Sequence, residues 1–158
     1  MRWALIFSLL SAYPARAQTQ LDARAEAQRF HEISGPTLLA GFMHVGKAVA
    51  IAHFLQAGRS QALAVALAER VVMPALEEKL PTLEVLARDL VTELFTVEEL
   101  HSINYKERGP ALNTAALKVH VMLQRLRSPV VEWANQIRQD AMIENVSLVR
   151  QLEAEVKP

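Results

Sequence analysis

From about Thr37 to Gln56 the chain is apolar on almost every side, and this restricts what it can fold into more than any other feature. Leu38, Phe42, Val45, Val49 and Ala52 recur at helical spacing on one face, while Leu39, Met43, Ala50 and Phe54 form a second apolar face. Only a narrow edge carries His44 and Lys47. A helix of this kind is expected to be buried on several sides, at the centre of a bundle or in a membrane. Thr37 to Gly58 is long enough to span a bilayer, and Lys47 is its only charge. A central Lys, however, costs about 2.5 to 3.5 kcal/mol on insertion, and His44, His53 and Gln56 add to the polar load. The bundle interior is therefore the favoured place for this segment, with a membrane-associated subunit as the alternative.

The rest of the chain fits a helical partner set. Ala, Leu, Val, Glu, Gln and Arg dominate, Gly is scarce, and no stretch alternates with period two. The fold class expected is all-α, a compact bundle of about six helices. The first helix runs from about Asp22 to Ile33 and stops at Ser34-Gly35-Pro36, and the apolar segment follows. After the turn Ala57-Gly58-Arg59-Ser60, a third runs from Gln61 to Leu80 with Leu63, Ala66, Leu67 and Val71 inward. Pro74 should kink or break it near Val72 and Met73, and Pro81 should end it.

A fourth helix spans Thr82 to Phe95 with a stripe of Leu83, Leu86, Leu90 and Leu94. Thr96-Val97-Glu98-Glu99 has the form of a capping box, in which Thr96 and Glu99 exchange side-chain and backbone hydrogen bonds. The short helix it opens should end at Gly109-Pro110. Ala111 to about Arg127 follows, with Leu112, Ala115, Val119, Met122, Leu123 and Leu126 buried. Ser128-Pro129 then restarts the chain as cap and first helical residue. The last helix should bury Val130, Ala134, Ile137, Ala141, Leu148 and Leu152, and should contain Asn145-Val146-Ser147, a short pattern that also fits a glycosylation acceptor.

The first seventeen residues have the order of a secretory signal peptide: a basic Arg2, an apolar core from Trp3 to Ala12, Pro14, and a small-x-small exit at Ala15-Arg16-Ala17. The core is too short for a stable span. Cleavage is expected between Ala17 and Gln18, leaving residues 18–158 as a single helical domain that is periplasmic or secreted. The absence of Cys rules out disulfides, thiolate metal sites and lipid attachment at cysteine. Losing Arg2 and Arg16 leaves 15 basic and 17 acidic residues, a near-neutral surface without the basic footprint that attracts nucleic acid.

The segment Leu94-Phe95-Thr96-Val97-Glu98-Glu99-Leu100-His101-Ser102-Ile103, preceded by a leucine-striped helix and followed by Pro110 and another helix, resembles the bacterial exported family called domain of unknown function 2059. That family shows Phe-Thr-x-Glu-Glu-Leu, then an aromatic pair, then a Ser-Pro-x-Gly turn. The resemblance covers about Thr82 to Ile137. Aligned without gaps, Pro110 falls on the family's proline, while Lys106-Glu107 replace the aromatic pair and Leu112 replaces the glycine. It implies a small, helical, exported protein with no established activity, and it offers no catalytic residue to transfer.

No catalytic signature stands out. The five histidines, His31, His44, His53, His101 and His120, include no pair three or four apart, so no helix presents the two-histidine face of zinc hydrolases. Glu98 and His101 give one Glu-x-x-His, where a di-iron bundle needs two. No serine has a nucleophile-elbow context. His44 and Lys47, one turn apart, form the one candidate functional pair. If buried, Lys47 would lose its preference for the charged state and could act as a base or anion contact. The favoured alternative is that its amine reaches solvent along a groove. No cofactor or metal is implied.

The function expected is non-enzymatic, binding an envelope protein, a peptide or an apolar ligand through the 37–56 helix or the Trp133-bearing last helix. The alternatives are a periplasmic hydrolase or metal-dependent enzyme whose site forms only in the fold, and the membrane-associated subunit.

Overall fold

A computed structural model describes the backbone of residues 13–156 and the side chains of 22–156. The helices are α1 (Tyr13–Gln56), α2 (Gln61–Leu67), α3 (Met73–Leu94), α4 (Val97–Tyr105), α5 (Pro110–Glu144) and α6 (Val146–Glu155). A π-helical turn, Ala68–Val72, joins α2 to α3 without a break, so the six α-segments make five rods. The fold is all-α, and no strand occurs among the described residues. Most of the expected leader lies outside them; its exit motif, Ala15-Arg16-Ala17, falls in the first described turns of α1.

The core has two clusters. One joins Ala50 and Phe54 of α1 to Leu67, Val72 and Leu76, and to Ala134, Ala141 and Leu152. The other joins Phe30 and Phe42 of α1 to Leu83, Ala87 and Val91 of α3, Leu100 of α4, and Met122 and Leu126 of α5. These memberships set the topology: α1 and α5 run parallel, α3 runs antiparallel and packs against both, α2 and α6 close one end and α4 the other. Trp133 packs against both clusters and joins them.

Three expected helix boundaries are corrected. Pro36, Pro81 and Pro129 lie inside α1, α3 and α5, so Ser34-Gly35-Pro36, Pro81 and Ser128-Pro129 neither stop nor restart the chain. An interior proline costs roughly 3 kcal/mol, but each of these is flanked by buried anchors on the same rod: Phe30 and Phe42, Leu76 and Leu83, Leu126 and Val130. Each anchor contributes about 1.5 to 3 kcal/mol by burial, which together outweighs the proline. The Pro36 and Pro81 rings are also exposed, where water can satisfy the carbonyl that lost its amide.

At Pro74 the expected kink or break gives way to a continuous rod. The helix does not break near Val72 and Met73 but widens into the π turn at Ala68–Val72, a common way to absorb a missing hydrogen bond. Asn145 interrupts the expected last helix: it stands between α5 and α6, its side-chain amide donating to the Ala141 carbonyl at 2.9 Å. The helix opened by Thr96 ends at Tyr105, before Gly109, because Lys106 adopts a left-handed conformation and the Glu107 amide donates to the Ser102 carbonyl at 3.0 Å. That closure is a Schellman-type C-cap.

Candidate functional site

α1 does not sit at the centre of the bundle. Phe42, Gly46, Ala50 and Phe54 form one buried line along it, and only 22% of its most apolar window is buried. The expectation of burial on several sides is therefore corrected: Ala50 and Phe54 are buried, but the side of α1 that carries Ile33 and Val45 faces outward. Ile33 is 50% exposed and Val45 37%. The physical reason is that the rod α2–α3, α4 and α5 leave part of the α1 surface uncovered by any helix among the described residues. By length and composition α1 could also cross a membrane.

What the open side forms is a groove of about 920 Å³ between α1 and α5, closed at one end by Ile103 of α4. Its floor is made of buried Phe30, Phe42, Met122, Leu126 and Val130, and its apolar walls include Ile33, Val45 and Leu123. Gly41 lies in the α1 wall with open space where a Cβ would stand. Polar groups are confined to Ser34 and Thr37 on α1 and His120, Gln124 and Arg127 on α5. The last three fall at i, i+4 and i+7, one turn apart on a single face. Gln124 Nε2 donates to His120 Nε2 at 3.0 Å. The volume lies within the roughly 300–1,000 Å³ range of small-molecule sites.

The groove was only half legible in the sequence. The surplus apolar surface of 37–56 marks its α1 wall, but the α5 wall was expected to be core. Leu123 is 48% exposed, on the same helix as buried Met122 and Leu126, and a one-residue rotation of the apolar stripe separates the two outcomes. Trp133, expected at a contact surface, instead bridges the two cores, and its indole N–H is buried without a hydrogen-bond partner.

His44 and Lys47 do not line the groove. Lys47 Nζ pairs with Glu69 Oε1 at 2.7 Å, both side chains more than a third exposed, and His44 is exposed. Thr96 and Glu99 form the capping box as expected: the Glu99 amide donates to Thr96 Oγ1 at 3.2 Å, and the Thr96 amide to Glu99 Oε2 at 2.7 Å.

The histidines go separate ways. His31 donates to Glu84 at 2.7 Å, and His53 packs edge-on to Phe54. His101 donates through Nδ1 to Glu26 at 2.8 Å, with Glu107 at 3.6 Å from its other nitrogen. The Glu26 hydrogen bond raises the His101 pKa, more than offsetting desolvation. For Glu26 burial acts upward, but the bonds from His101 and Asn104 prevail and hold its carboxyl below the ordinary value. Among the described residues no three His, Asp or Glu side chains come together as a metal site would require.

No family model matches the chain, and no curated protein or solved structure matches it significantly.

Proposed function

We propose that this chain is an exported, non-enzymatic helical module of the bacterial envelope that binds an apolar ligand or peptide segment in the groove between α1 and α5. The observation that carries the reading is the groove itself, a trough of about 920 Å³ with an apolar floor and walls and a few polar groups, which is the size and lining of a small-molecule site. Export is supported by the ordered leader from Arg2 to Ala17, and the resemblance over Thr82 to Ile137 supports the same compartment.

Gly41→Phe tests the site, because its ring enters the groove from a wall position with open space around it. The unaltered protein should enhance the fluorescence of the apolar probe N-phenylnaphthylamine, and the variant should lose that enhancement while melting as before. Equal probe uptake by both proteins would remove the groove from consideration.

A second reading has one observation in its favour: α1 is long, apolar and mostly unburied. On that reading the open side of α1 rests in or on a membrane. Release by osmotic shock without detergent would exclude a span, whereas retention with the membrane until detergent is added would support it.

A further inference from the structure

The ionisable residues that line the groove are of one sign. Among the described residues that line it, His120 and Arg127 are the only two, and none is a carboxylate. None of the ion pairs formed among the described residues involves Arg127. Its helical neighbours at i±3 and i±4 are Leu123, Gln124, Val130 and Val131, so its own helix offers no acid one turn away. By contrast Arg125, two residues earlier on the same helix, is paired with Glu93 at 2.8 Å. A guanidinium left unpaired beside an apolar trough is a ready donor to an anionic head, which accepts two parallel hydrogen bonds from it.

We propose that the occupant is a free medium-chain carboxylate, its alkyl chain along the α1/α5 trough and its head on Arg127. The proposal rests on the groove being the binding site, and it names the ligand class. Three features of the lining select this chemistry. From Arg127 the α5 wall runs back to Val119, about 12 Å at 1.5 Å per residue, a length that suits one medium-length extended chain. One permanent cation matches a monoanion. A zwitterionic lipid head would bring an ammonium for which the lining holds no carboxylate, and an alkylammonium would face Arg127 as a like charge. Gln124, one turn before Arg127 on the same helix, is a neutral hydrogen-bonding group near the head.

Calorimetric titration of the purified protein with laurate, dodecanol and dodecyltrimethylammonium separates this proposal from the reading beneath it. Laurate should bind at one site, at least about tenfold tighter than dodecanol, as a charge-assisted hydrogen bond implies, and dodecyltrimethylammonium should bind weakest. Affinity should rise roughly fourfold for each methylene added to the carboxylate. Arg127→Gln should erase the preference for laurate, whereas Arg125→Gln, outside the groove, should leave it in place. Equal affinity for laurate and dodecanol, or a preference that survives Arg127→Gln, would overturn the carboxylate proposal while leaving an apolar groove standing. Failure of all three ligands to bind, or undiminished binding by Gly41→Phe, would overturn the groove reading itself.

Discussion

Lys118 Nζ lies 2.7 Å from Glu99 Oε2, so the carboxylate that caps α4 also ties that helix to α5. Glu99 is buried, which by itself would raise its pKa; the hydrogen bonds from Lys118 and from the Thr96 backbone outweigh burial and hold it below the ordinary value of 4.5. A depressed folded pKa contributes stability above the unfolded value and loses it as pH falls through the folded one. Glu99→Gln should lower stability by about 1 to 3 kcal/mol near neutrality. It should also flatten the loss of stability below pH 4.5. Urea unfolding across that acid range measures both, and an unchanged acid limb would show that Glu99 is not the group responsible.

The tie between α1 and α4 titrates in the opposite sense. His101 has its pKa raised above 6.5, chiefly by its hydrogen bond to Glu26. A raised folded pKa gives stability that is complete below the unfolded value and is lost as pH rises through the folded one. The urea midpoint should therefore be higher at about pH 6 than at about pH 8, and His101→Gln should remove that difference. A midpoint that is level in the unaltered protein, or a slope that survives the substitution, would dissociate the pair from pH-dependent stability.

These local devices differ in how far the sequence announces them. The capping box at Thr96 and Glu99 is a four-residue contact and can be read directly. The Glu26–His101 pair spans 75 positions and depends on α1 continuing past Pro36 in both directions, which local chemistry argued against. The same mechanism governs the groove. Buried Phe30 and Phe42 hold α1 as one rod, and only an unbroken rod can present Ile33, Gly41 and Val45 along a single wall opposite α5. Helix type and most inward residues were legible from periodicity, though Leu86 and Leu123 are exposed, whereas the α1 wall of the site needed tertiary burial to override Pro36.

Pro36 makes that override measurable. It is exposed, and its missing N–H leaves the Glu32 carbonyl without the usual i−4 partner. Pro36→Ala restores the donor and should gain up to about 3 kcal/mol. The greater freedom of the unfolded chain subtracts roughly 0.4 to 1 kcal/mol. A net gain of about 1 to 2 kcal/mol is expected, seen as a higher thermal midpoint with unchanged helical circular dichroism. A loss would mean that the proline fixes a bend the two phenylalanine anchors require.

Gly41 and Gly46 lie five residues apart on α1 and should respond to added side chains with opposite signs. A Cβ at Gly41 meets nothing within 4 Å, because the groove is in front of it. Gly41→Ala therefore collects the helix-propensity gain of about 0.5 to 1 kcal/mol. At Gly46 a Cβ would stand 2.8 Å from Leu76 Cδ1 and 3.7 Å from the Trp133 ring. Leu76 is fully buried and Trp133 spans both cores, so neither can give way without disturbing the packing where α1, α3 and α5 meet. Gly46→Val should lose about 1 to 3 kcal/mol, the usual penalty of overpacking. Thermal melts of the two variants decide it, at roughly 2 to 4 °C per kcal/mol for a chain of this size. A destabilised Gly41→Ala would mean that the α1 wall is already filled in solution, and with it the groove.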